Sequence, residues 1–232
     1  MKHLSSVILI FVFCIASLSA QQNNFEKKLY VGVNAGATAA KIDFMPSVPE
    51  LFKYGVVGGV SAKYISEKYL GLILEVNFSQ RGWKEDFTEE PELSYERTLN
   101  YIEVPLMTHV YAGSKNVRFI FNAGPQVSFL LSDNSAMSES LAQRLQEQKE
   151  SNPDTRYGYQ YRPIGEMNKV DYGIVGGMGV ELNTAVGTFD LEGRYYFGLG
   201  DVFTNRRNKQ AYFSRSAHRL IEAKLTYYFR VN

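Results

Sequence analysis

Residues 220–231 alternate with a period of two. Ile221, Ala223, Leu225, Tyr227, Phe229 and Val231 are apolar, and Leu220, Glu222, Lys224, Thr226, Tyr228 and Arg230 lie between them. The run is too long and too regular for a helix, so it reads as a strand with one greasy and one charged face. A soluble sandwich would bury the greasy face. A transmembrane barrel would turn it to lipid and keep the charges in its lumen. The rest of the chain decides between the two.

The N-terminus reads as a cleaved secretory signal peptide, residues 1–20, ahead of a single domain, residues 21–232. Lys2 and His3 form a basic start, Val7 to Ile15 an apolar run, and Ala16, Ser17, Ser19 and Ala20 a small-residue cleavage region before Gln21. The apolar run falls short of the ~20 residues of a spanning helix, and no later run reaches ~18. A membrane domain here must therefore cross with strands. Cys14 is the only cysteine and leaves with the signal, so the mature domain has no disulfide and no thiolate chemistry. Loss of Lys2 takes the 25 basic residues to 24, equal to the 24 acidic ones. That balance implies no nucleic-acid partner.

Seven more alternating stretches precede the last. In the first, residues 29–39, Leu29, Val31 and Val33 share a face opposite Tyr30, Gly32 and Asn34. The second, 54–65, turns Val56, Val60 and Tyr64 outward and Ser61 and Lys63 inward. The third, 69–82, turns Leu70, Leu72, Leu74, Val76 and Phe78 outward and Glu75, Asn77, Ser79 and Arg81 inward. The fourth, 99–111, carries Pro105, which calls for an edge, a bulge or a lost ladder bond. The others are 117–131, 171–182 and 188–197. A charged loop is expected over 83–97. Ser140-x-x-Gln143 followed by Leu145 predicts a short capped helix inside the long stretch 132–170.

The connections alternate long, short, long, short, long, short, long. With the N-terminus inside, every long loop lies outside and every short turn lies in the periplasm. Sorting of this kind, with aromatics near both strand ends, belongs to outer-membrane barrels. The expected fold is all-β: an eight-stranded antiparallel transmembrane β-barrel with short periplasmic turns and long extracellular loops, in the cell outer membrane.

Four stretches carry a family likeness: Asn100-Tyr101-Ile102-Glu103-Val104-Pro105-Leu106, Gly124-Pro125-Gln126-Val127-Ser128-Phe129-Leu130-Leu131, Asp171-Tyr172-Gly173-Ile174-Val175-Gly176-Gly177 and Arg194-Tyr195-Tyr196-Phe197-Gly198-Leu199. In this order and spacing they resemble the PorT-like outer-membrane β-barrels of Gram-negative bacteria, across about residues 29–229. The resemblance implies an eight-stranded barrel. The family's name-giving member belongs to a protein-secretion system, but the family does not fix one function.

Eight strands leave an interior filled by side chains. Strand parity puts Lys63, Glu75, Arg81, Glu103, Arg118, Glu181, Asp190, Glu192, Arg194, Glu222 and Lys224 there. Buried charges must compensate one another, so a paired network plugging the lumen is expected ahead of an ion path or proton relay. Glu192 and Arg194 beside Glu222 and Lys224 form the expected cluster. His109 is expected inward and His218 at the outer rim beside Ser214 and Ser216; no nucleophile motif accompanies either. No His or Cys pair has metal-ligand spacing, and no catalytic residue or cofactor is assigned. The second outer loop is acidic (Glu85, Asp86, Glu89, Glu90, Glu92, Glu96), suited to pairing across the mouth or to divalent cations. The fourth is basic, with Arg206, Arg207, Lys209 and Arg215 suited to lipopolysaccharide phosphates. The functional expectation is a structural or partner-binding barrel acting through its outer loops. A narrow porin-like pore or transport accessory, and a secretion-apparatus component, are the alternatives. Expected partners are outer-membrane lipid, lipopolysaccharide, the barrel-assembly machinery, which reads an aromatic C-terminal strand, and a protein or ligand at the loops.

Overall fold

A strand in lipid has no water to satisfy its backbone, so its edges must pair all the way round. The structure, a computed structural model describing residues 26–151, 161, 167–203 and 213–231, does this with β1 (Lys28–Met45), β3 (Lys53–Glu67), β4 (Leu70–Glu85), β5 (Tyr95–Gly113), β6 (Val117–Met137), β7 (Val170–Thr184), β8 (Gly187–Asp201) and β9 (Arg215–Arg230). Each pairs antiparallel with its neighbour in the chain, and β9 returns to β1 from Tyr30↔Arg230 to Met45↔Arg215. The ring of eight long strands closes. A two-residue strand, β2 (Glu50–Leu51), adds only to the end of β4. One helix, α1 (Glu139–Ser151), stands between β6 and β7. No helix among the described residues is long and apolar enough to cross a membrane.

Alternation holds around the ring. Leu72, Leu74, Val76 and Phe78 on β4 are exposed outward, and Glu75, Asn77, Ser79 and Arg81 between them are buried inward. The same holds for Ile221 and Leu225 against Glu222 and Lys224 on β9. The result is an apolar outer belt around a polar interior, the inverse of a water-soluble core.

The turns at 68–69, 114–116 and 185–186 are short and share one end of the barrel. Tyr69 adopts a φ of 78° in the first of them, a left-handed conformation that normally favours glycine. At Pro105 the ladder with β4 breaks between Leu74↔Leu106 and Asn77↔Glu103 and resumes in the same register. Proline lacks the N–H that the missing step would use.

At the long-loop end the strands run further than the sequence pattern suggests. The charged loop expected over 83–97 shrinks to 86–94, because Trp83 to Glu85 continue β4 and Tyr95 to Arg97 begin β5. Only 9–11 residues of a tilted strand cross a membrane, so these extensions stand beyond the belt. There the rule reverses. Ile42, Phe44, Trp83, Leu99 and Tyr101 point inward and are buried, in one cluster with Leu93, Leu141, Met167, Val202, Phe203 and Phe213. Phe44 meets Trp83 edge-on at 5.5 Å and Phe213 at 4.5 Å. The helix caps two residues earlier than the expected pattern: Ser138, not Ser140, accepts from the Leu141 N–H at 3.4 Å through Oγ. Ser138 is already held by β5's approach, since the Ser94 N–H donates to the same Oγ at 3.1 Å. Leu141 then drops fully buried into the cluster.

Candidate functional site

Inward parity on seven of the eight long strands, all but β1, brings the lumen charges into three tiers. Nearest the short turns, Lys63 donates to Glu181 at 2.7 Å and Asp190 at 3.0 Å. Arg118 approaches Glu181 from the mouth at 2.9 Å. The Lys63 ammonium also lies 4.1 Å from the Tyr228 ring centroid, and Tyr228 hydrogen-bonds Ser61 at 2.6 Å. In the middle tier Glu75 is the hub. Arg194 reaches it with both terminal nitrogens at 2.8 and 2.9 Å, Lys224 also binds it, and Asn77 donates to it at 2.9 Å. Arg194 holds Glu192 at 2.8 Å as well.

The third tier is built on Arg81. It donates to Glu103 at 2.5 Å, Asp171 at 3.0 Å and the Ser128 hydroxyl at 3.1 Å. Its guanidinium lies between the rings of Tyr101, at 5.0 Å, and Tyr196, at 4.8 Å. The Tyr196 hydroxyl donates to Asp171 at 2.9 Å. Arginine suits both hubs because its planar fork serves two carboxylates at fixed angles, which a lysine cannot.

The residues expected in the lumen all point there: Glu75, Glu103, Glu181, Asp190, Glu192, Arg194, Glu222 and Lys224 are buried, and Arg118 is 26% exposed at the mouth. The pairing differs from the expected one. Glu192 sits across from Lys224 and Arg194 across from Glu222 in the β8–β9 ladder, yet the bases reach over the lumen to Glu75 instead. A curved interior shortens the path across the ring relative to the path along its wall. Glu222 makes no ion pair among the described residues. Ser61, expected inward, and Ser128 join the network, as do Asp171, Tyr196 and Tyr228, which carry no such expectation. Their parity is the same as that of the named charges, which is the signal that identifies them.

His218 is not on the rim. It is fully buried, with Nε2 3.2 Å from the Tyr101 hydroxyl. β9 starts at Arg215, so His218 already faces inward. Ser216 Oγ instead accepts from the Phe203 N–H at 3.1 Å, and Ser214 Oγ donates to the Met45 carbonyl at 3.2 Å. His109 is buried against Asn122 at 2.7 Å. No described group of His, Cys, Asp and Glu has the geometry for a metal ion.

At the long-loop end, two residues of the acidic loop have partners on α1 and β3. Glu90 pairs with Arg144 of α1 at 2.5 Å and Glu96 with Lys53 at 2.9 Å. Arg206, Arg207 and Lys209 lie outside the described residues. Arg215 is half exposed, but Asp43 holds it at 2.6 Å and holds Arg219 at 2.8 Å.

The same cap contains Glu50, whose Oε2 accepts from the Ile42 N–H at 2.9 Å. Burial pushes its carboxyl up to about 8, with Glu85 and Asp43 adding and the Ile42 N–H and Lys41 opposing. A carboxyl raised this way keeps its proton when folded and releases it when unfolded between its ordinary value of 4.5 and about 8. The cap's stability is therefore full below that window and falls as pH rises through it. Amide exchange at Ile42 and Leu51, corrected for intrinsic rate, should speed up from pH 5 to 8 in the native chain. Glu50→Gln should flatten the dependence; an unchanged profile in that variant would remove Glu50 as the cause.

The family described as outer membrane protein beta-barrel domain matches residues 19–204. Among solved structures, Neisserial surface protein A is 13% identical, with a TM-score of 0.46 over 88% of this chain and 100% of that one. Ail, the attachment invasion locus protein of Yersinia pestis, is 11% identical, with a TM-score of 0.41 over 87% and 99%. The outer membrane protein OprG from Pseudomonas aeruginosa is 9% identical, with a TM-score of 0.46 over 87% and 96%. No curated protein matches the chain in sequence.

Proposed function

Because the chain belongs to the outer-membrane β-barrel domain family and so resides in the cell outer membrane, we propose that it serves as a closed barrel presenting a rigid extracellular cap to envelope or external partners. Two features in series along the axis support this reading. Three tiers of ion-paired side chains lie at the inward positions, and beyond them the inward residues form an apolar cluster around Trp83 and Phe203. Ions have a high cost to cross a dry apolar layer. The strand extensions and α1 give the cap a core of its own, which favours a recognition surface over loose loops.

Planar-bilayer recording tests this. The native protein should show no steady single-channel current. A large, sustained conductance would overturn the closed-barrel reading in favour of the narrow pore or transport accessory. That pore would prefer cations, because the buried acids Glu75, Glu103, Asp171, Glu181, Asp190, Glu192 and Glu222 outnumber the bases Lys63, Arg81, Arg118, Arg194 and Lys224.

We read the chain as a non-enzyme, since Ser216 and His218 take separate hydrogen-bond partners. The PorT-like assignment, and with it a place in a secretion apparatus, rests on the four sequence motifs. Two of them interlock for a structural reason: a Cβ on Gly124 would meet the Leu106 carbonyl oxygen at 2.0 Å, beside the Pro105 break. That close approach explains the glycine without reference to secretion.

A further inference from the structure

The periplasmic mouth holds a cavity of about 260 Å³ that shares only Arg118 with the charge tiers. Lys28, Lys68, Lys115 and Arg118 line it, and no carboxylate among the described residues does. Its base is aromatic and apolar: Tyr111, Ile65 and Ile120 are buried together with Tyr30 packed on them. The Lys63 ammonium lies 5.6 Å from the Tyr30 ring centroid. Arg118 is partly neutralised by Glu181 and lies over the Tyr111 ring at 4.8 Å. Lys28, Lys68 and Lys115 make no ion pair among the described residues. The Lys68 ammonium sits 5.0 Å from the Tyr69 ring, which stands 6.2 Å from Tyr111. The left-handed backbone at Tyr69 puts that ring there.

We propose that this cavity binds a small organic anion from the periplasm, a carboxylate or phosphate monoester on a short aromatic or apolar body. The ammonium groups supply charge and donors for the anionic head. The tyrosines supply a flat apolar surface for the body. The source is aqueous, because Tyr30, Ile65, Tyr111 and Arg118 face the barrel interior, whereas the lipid side of these strands is Leu29, Tyr64 and Val110.

The test is amide NMR of the full mature barrel refolded in a nonionic detergent, which brings no phosphate head group, titrated with phenyl phosphate. Saturable shifts are expected at Lys68, Tyr69 and residues 113–115, and benzylamine should produce none. The Lys28→Gln/Lys68→Gln/Lys115→Gln variant, with folding checked by heat-modifiable gel mobility, should bind about tenfold more weakly or less, as the loss of three exposed charge contacts predicts. Undiminished binding in that variant, an equal response to benzylamine, or shifts that grow without saturation would overturn the proposal. Phosphatidylglycerol in the same micelles producing these shifts at lower concentration than phenyl phosphate would overturn the aqueous source.

Discussion

Replacing Arg194 with methionine should destabilise the folded barrel by about 3–5 kcal/mol, the range for removing one partner from a buried ion pair. The loss follows from what stays behind. Glu192 loses its ion-pair partner, and Glu75 keeps Lys224 as its one ion-pair partner among the described residues. Methionine fills much of the volume, so packing contributes little of the change. Arg194→Lys should fall between, because a single ammonium cannot span both carboxylates as the guanidinium does. Arg194→Met/Glu192→Gln should recover part of the loss, by an amount of order 1 kcal/mol, since it removes the stranded charge along with its partner. Urea unfolding in lipid vesicles measures all three. Trp83, the only tryptophan, reports through its own fluorescence from within the cap. A loss below about 1 kcal/mol for Arg194→Met, the range of exposed pairs, would mean that water screens the middle tier. The closed-barrel reading would then lose its lower barrier.

The parity of each strand was legible in the sequence because lipid imposes a simple rule on it, apolar out and polar in. That rule places Glu75 and Lys224 inside and Leu74 and Leu225 outside, from spacing alone. It fails beyond the belt, where water replaces lipid and the apolar side turns inward. Lys41 and Asp43 are then the outward residues of β1 and Ile42 and Phe44 the inward ones, so the alternation continues with its phase reversed. Trp83 against Lys84 shows the same inversion on β4. The membrane phase reads these residues as loop, so the expected strands end short of the cap core. The partners within the lumen were not legible for a different reason. Arg194 and Glu222 are ladder neighbours, but the contact chosen, Glu75, lies on β4 across the ring, and only closure and curvature bring it near. The Tyr101–His218 contact is equally invisible in one dimension, as the two residues meet only because β5 and β9 face each other across the interior.

Deleting Tyr227 to Asn232 should abolish assembly altogether. The described part of this segment pairs Tyr227, Tyr228, Phe229 and Arg230 with Val33, Gly32, Val31 and Tyr30 at the seam that closes the barrel. Val231 adds a bond from its N–H to the Leu29 carbonyl at 2.9 Å. Without them the ends of β1 and β8 present bare backbone to lipid, at several kcal/mol for each unsatisfied group. The same cut removes Tyr228, and with it the bond to Ser61 and the ring beneath Lys63. Heat-modifiable mobility on gels should show no folded band, whether the chain is refolded in detergent or exported in cells. Phe229→Ala separates the two causes of failure. Its side chain is half exposed to the lipid side and carries none of the seam's backbone bonds, so refolding in detergent should proceed with little change. If the assembly machinery reads the aromatic end of this strand, export of Phe229→Ala in cells should drop while its refolding does not. A truncated chain that still inserts as a folded barrel would show that the seam closes without the segment, and that the alternating stretch 220–231 is longer than closure requires.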